Sequence, residues 1–202
     1  MSFLILGFFT QLSLILAIGA QNIFVIEQGL KKQYVFLVCL ICSISDLILI
    51  FLGIFLFQYF GKFFNTLIEL ILNIFLLIFL IYFIYSKFFI EKNKTTYNKK
   101  KQKISLQNII IKTFGFTYFN PHVYSDTVFF LGNFSKDFLL IDKYYFGIGA
   151  SLASFLFFFL LGYLSQYFSK YLKNEKAWKI INLIIISFMS FLALLVLAEI
   201  LK

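Results

Sequence analysis

Six stretches of this chain, at residues 3–26, 34–58, 66–89, 106–132, 144–168 and 178–200, each have the length and apolar character of a helix that crosses a bilayer. A spanning helix needs about 20 mostly apolar residues, because lipid offers no partners to backbone N–H and C=O groups. That pattern excludes most soluble folds. The rest of the composition agrees: 61% of the residues are apolar and 13% are charged, about half the charged share of an average soluble domain. With 31 Phe, and with all 18 basic residues Lys and none Arg, the residue choice reads as the usage of an AT-rich genome and not as an aromatic binding surface. The predicted fold class is an all-α membrane protein with six transmembrane helices.

The net charge of +9 is read in the same light. In a membrane protein, excess Lys sets orientation and meets anionic headgroups, so membrane lipids are expected partners and nucleic acid is not. The segment KNKTTYNKKKQK (92–103) is polar and must lie in water. It divides the chain into a first three-helix unit (1–90), a Lys-rich loop (91–105) and a second three-helix unit (106–202). Lys62, Lys136, Lys143 and Lys202 fall on one side of the membrane, and the other fourteen of the 18 Lys fall on the opposite side. The positive-inside rule then predicts a cytoplasmic loop 91–105 and both termini outside. The first Lys is Lys31, so the N-terminus lacks the charged start of a secretory signal and reads as a retained first span. Cys39 and Cys42 lie within one apolar run and form no disulfide framework.

Two of the six segments are interrupted. Pro121, the single proline, sits within FNPHVYSDT (119–127) in the middle of segment four. A proline inside a helix costs about 3 kcal/mol or more, whereas proline at the first helical position after an Asn N-cap is favourable. Asn120 and Pro121 are therefore read as the start of a new half-helix at membrane depth, its free N–H groups facing something anionic; a simple proline kink is the plainer alternative. In segment one, GAQN (19–22) separates the apolar run Phe3 to Ile18 from IFVIEQGL (23–30). Gly19 loosens the helix, and Gln21 and Asn22 place two amides where lipid offers no partners. Gln21 reads equally as packing between helices, and Asn22 reads as a site residue in line with Asn120. SDLILIFLG (45–53) in segment two aligns with SFLFFFLLG (154–162) in segment five, and both follow an interrupted segment. Three spans per half give the halves opposite orientations, so two inverted three-helix repeats are expected.

Few ionisable residues lie deep. Asp46 is at the centre of segment two, where an acid costs about 2.5–3.5 kcal/mol on insertion scales, so it is expected to face the bundle interior and hold a cation, a proton, or each in turn. His122, the only histidine, and Asp126 are four residues apart and share a helix face. Ser43, Ser45 and Thr127 are candidate hydroxyl donors. Glu27, Glu69 and Glu199 lie near span ends, where interfacial water accounts for them. Cys39, Cys42 and Asp46 fall on one helical stripe, which with His122 opposite offers a soft-metal alternative, but buried Cys is usually a small hydrophobe. No metal or cofactor is expected.

The segments AIGAQNIFVIEQGLKK (17–32), CSISDLILIFLG (42–53) and NPHVYSDTVFFLG (120–132) resemble the signatures of the LysE/ArgO family of basic amino acid exporters, in order along the whole chain. The resemblance implies a secondary transporter of the bacterial inner membrane, not an enzyme. It would export L-lysine or L-arginine from the cytoplasm by proton-coupled antiport. It carries over to Gln21, Asn22, Asp46, Asn120, Pro121, His122 and Asp126 as substrate-binding or coupling residues, and to Gly19 and Pro121 as the helix breaks. These motifs do not choose between lysine and arginine, and a homodimer is left open. A heavy-metal exporter and a membrane-embedded thiol redox enzyme are the competing readings. The redox enzyme is disfavoured because both cysteines lie on one segment.

Overall fold

The computed structural model describes residues 2–16, 19–63, 66–92, 105–171 and 175–201, and among these it is helical with no strand. The Lys-rich segment at 93–104 lies outside the described residues. The helices run in the order α1 (Phe3–Ile15), α2 (Ala20–Lys31), α3 (Val35–Phe63), α4 (Thr66–Lys92), α5 (Leu106–Tyr118) and α6 (Pro121–Tyr124). A π-helical turn (Ser125–Phe130) leads into α7 (Leu131–Phe134), followed by α8 (Leu140–Phe168), a 3₁₀ turn (Ser169–Tyr171) and α9 (Glu175–Ile200). Each of the six apolar segments thus corresponds to one helix or one interrupted helix. Among the described residues, Val35–Phe57 and Leu140–Phe168 are long and apolar enough to cross a membrane. The pair α1 and α2, bent by 83°, adds a third if taken as one broken span. In α4 and α9 the described apolar stretches are shorter, Asn73–Tyr85 and Leu183–Ala198.

The breaks fall where the local chemistry demands. Segment one stops at Leu16 and restarts after Gly19, whose extended backbone caps α2 without a side chain. Segment four stops at Phe119 and restarts at Pro121. There the His122 N–H donates to Asn120 Oδ1 at 3.1 Å, so Asn120 serves as the N-cap and Pro121 as the first helical residue. A helix end away from water leaves carbonyls needing donors. The same solution appears twice: Asn22 Nδ2 donates across the first break to Ile15 O at 3.1 Å, and Tyr124 Oη donates across the second to Tyr118 O at 3.0 Å.

Long helix α8 lies between the first segment and α3, packing against α1, α2 and α3. Small residues allow the close approach, as expected where lipid supplies no hydrophobic drive between helices. A Cβ added at Gly7 of α1 would lie 2.0 Å from Phe146 O, and one at Gly149 of α8 would lie 2.0 Å from Leu4 O. Toward the Lys31 end, Phe24 of α2, Phe83 of α4 and Phe116 of α5 form an aromatic cluster with centroid separations of 5.0 and 6.4 Å from Phe24. Phe79 adds a T-shaped contact at 4.7 Å to Phe116.

One expectation about the periphery needs correction. Glu27 is not an interfacial residue solvated by water; it is 2% exposed and ion-paired with Lys31 one turn later. Its position near the end of α2 said nothing about which face it occupies, and that face turns into the bundle. Lys112 lies nearby, its Nζ 5.7 Å from the Phe83 ring centre. The side chains of Glu69 and Glu199 lie outside the described residues.

Candidate functional site

The two breaks face one another. Asn120 is the nearest neighbour that a side chain at Gly19 would meet, its Nδ2 lying 3.9 Å from an added Cβ. Between them is a small cavity, partly open to the exterior. From the first segment it is lined by Gln11, Gly19, Gln21 and Asn22; from α3 by Asp46; and from the restarted half-helix by Asn120, His122, Asp126 and Thr127. Of the residues singled out in the sequence, Pro121 contributes through its backbone, by ending α5 and starting α6. Ser43 turns away, donating to Cys39 O within its own helix at 2.8 Å. Ser45 is buried but does not line the cavity.

Asp46 is 3% exposed, and its Oδ2 accepts a hydrogen bond from Ser154 Oγ of α8 at 2.7 Å. Ser154 in turn accepts from Gln11 Nε2 at 2.9 Å. Gln11, Ser154 and Asp46 therefore form a chain from α1 through α8 to α3, and α8 packs closely on both of the others. Gln11 and Ser154 escaped the sequence reading. Gln11 lies inside the apolar run of segment one, where an amide is as anomalous as Gln21. Ser154 was visible as the residue aligned with Ser45, but the alignment gives no hint that its partner is Asp46.

Two amide atoms at the cavity wall remain without a hydrogen-bond partner among the described residues: the acceptor Gln11 Oε1 and the donor Gln21 Nε2. Buried polar atoms are seldom left unpaired. Asp126 is half-buried within the π-helical turn, while His122 is exposed. The widened turn is closed by Leu131 N–H donating to Asp126 O, and single π turns often occur at functional sites.

The cysteines stand apart from this arrangement. Cys39 donates to Phe158 O at 3.2 Å, and Cys42 faces Gln21 and Thr117 side chains within the core. Neither lines the cavity, and among the described residues no three His, Cys, Asp or Glu side chains gather closely enough to hold a metal ion.

Comparison with known proteins places the chain in a family. The family profile described as LysE type translocator matches residues 12–199. The chain belongs to the LysE family. Among LysE relatives, it is 33% identical over 183 residues to the arginine exporter protein ArgO of Escherichia coli (strain K12), covering 90% of this chain and 87% of that protein. It is 31% identical over 188 residues to the arginine exporter protein ArgO of Klebsiella pneumoniae (strain 342), covering 90% and 86%. The corresponding protein of Salmonella typhimurium is 32% identical over 180 residues, covering 89% and 85%. No solved structure matches this LysE family member significantly.

Proposed function

We propose that this protein is a secondary transporter that exports basic L-amino acids, arginine or lysine, across the bacterial inner membrane in exchange for protons. The observation that carries the reading is a cavity in which two helix breaks converge with two carboxylates, Asp46 and Asp126. A basic amino acid has an α-carboxylate, an α-ammonium and a cationic side chain. The N–H-rich starts of the half-helices near Asn22 and Asn120 suit the carboxylate, and the two acids suit the cationic groups. His122 and Gln21 complete the polar wall. Relatives named as arginine exporters make arginine the first substrate to test.

Exporting one positive charge against an inside-negative potential costs about 2.3 kcal/mol per 100 mV, and entry of one proton cancels it. Coupling follows if Asp46 holds either a proton or the substrate's cation but is never left bare. That requirement suits an acid that is buried and already takes one hydrogen bond from Ser154.

Alternating access fits two inverted repeats, 1–90 and 106–202, joined by a cytoplasmic loop 91–105 with both termini outside. The packing supports this reading, because its main contacts fall into matching pairs when the halves are exchanged. α3 packs on α8 and α4 on α9, while α1 and α2 lie on α8 just as the π turn and α7 lie on α3. Inverted repeats of this kind place substrate at broken helices near the bilayer midplane.

The test is counterflow of labelled L-arginine and L-lysine into proteoliposomes preloaded with either amino acid. Accumulation of one or both is expected. Absence of both, in protein that is folded and monodisperse, would overturn the assignment.

A further inference from the structure

We propose that Gln11 binds the substrate's cationic group directly, through its Oε1, and that Ser154 is the positioning residue that orients the Asp46 carboxylate beside it. The inference rests on the basic amino acid reading above and deepens it by adding two residues from outside the family signature segments. Gln11 is 2% exposed and lines the cavity. Its amide is held from one end: Nε2 donates to Ser154 Oγ at 2.9 Å. With Asp46 ionised, as it is when it holds the cation, that bond fixes the flip of the amide, since Ser154 uses its own hydrogen to reach Asp46 Oδ2 at 2.7 Å and can only accept from Gln11. The opposite end, Oε1, is therefore constrained to be an acceptor, and it has no partner among the described residues.

A buried acceptor without a partner is costly unless a ligand's donor meets it. A guanidinium carries five N–H donors and an ammonium three, more than one carboxylate oxygen can take once Ser154 occupies the other. A neutral amide supplies the additional acceptor without adding a further negative charge to those of Asp46 and Asp126. The Ser154 bond also commits Asp46 Oδ2, leaving Oδ1 as the oxygen better placed to meet the cation. Gln11 thus acts on the substrate, and Ser154 acts through Asp46.

The experiment measures KM and kcat for labelled L-arginine in proteoliposomes for wild type, Gln11→Met, Ser154→Ala and the double variant, each checked for monodispersity. Methionine is close to glutamine in shape and removes both hydrogen bonds. Gln11→Met is expected to raise KM about tenfold, the effect of losing one hydrogen bond to a charged group, with a smaller change in kcat. The double variant is expected to raise KM above that of Ser154→Ala alone, because Gln11 has a contact of its own. If Gln11→Met does not fold, Gln11→Asn, which keeps the amide but withdraws it by one methylene, is expected to raise KM in the same way. An unchanged KM for these Gln11 variants, or a double variant equal to Ser154→Ala, would overturn the proposal while leaving the basic amino acid reading intact. A wild type that accumulates neither arginine nor lysine would bring down both.

Discussion

Gly19 and Asn120, one from each half of the chain, sit so close that a methyl group on Gly19 would touch the Asn120 amide at 3.9 Å. This is ordinary van der Waals contact, and the backbone of Gly19 (φ −107°) is open to any residue. Gly19→Ala is therefore expected to retain transport. Gly19→Phe, whose ring would enter the cavity between the breaks, is expected to abolish it without unfolding the protein. Paired arginine uptake and thermal unfolding measurements check both; equal transport by the two variants would place the pathway elsewhere.

The Asn120 side chain is the N-cap of the restarted half-helix, accepting from the His122 N–H. Asn120→Ala should cost about 1 kcal/mol of stability. Asn120→Asp keeps the cap oxygen and should recover much of that loss. Thermal unfolding in detergent gives the comparison. Recovery of stability without recovery of transport by Asn120→Asp would separate the capping role from a role in binding.

The α1–α8 contact tolerates no side chain at its closest point. A Cβ at Gly149 would lie 2.0 Å from Leu4 O, a backbone atom that cannot rotate away. Gly149→Ala is expected to destabilise the protein by about 1–3 kcal/mol through overpacking. It should also lower arginine affinity, since displacement of α8 moves Ser154 relative to Asp46. Melting temperature and KM measured on the same sample should shift together.

Both cysteines are buried core residues, and neither lines the cavity. The double variant Cys39→Ala, Cys42→Ala is expected to keep arginine transport, and expression of either form should leave cadmium and zinc tolerance of host cells unchanged. Loss of metal tolerance specific to the cysteine variant would revive the metal-export reading.

How much of this was legible in the residues depends on whether the signal is local. The helix breaks were, because proline and glycine act on the backbone at their own positions, and the structure interrupts segments one and four at Gly19 and Pro121. The convergence of Gln21, Asn22, Asp46, Asn120, His122 and Asp126 on one cavity was only an expectation, conditional on how the halves pack. Three features were not legible. The π turn at Ser125–Phe130 packs on α3, and its sequence carries no helix breaker. The burial of Glu27 depends on which face α2 presents to the bundle. The bond from Ser154 to Asp46 joins residues far apart in the chain, and only the close approach of α8 to α3 creates it.

The central claim is that Asp46 exchanges a proton for the substrate's cation. The most direct measurement is efflux of labelled L-arginine from proteoliposomes with and without an imposed pH gradient, acid outside, for wild type and Asp46→Asn. Wild type is expected to accelerate efflux when the gradient is imposed, and Asp46→Asn, which cannot alternate between charge states, is expected to lose that acceleration. Full, gradient-sensitive efflux by Asp46→Asn would contradict the account.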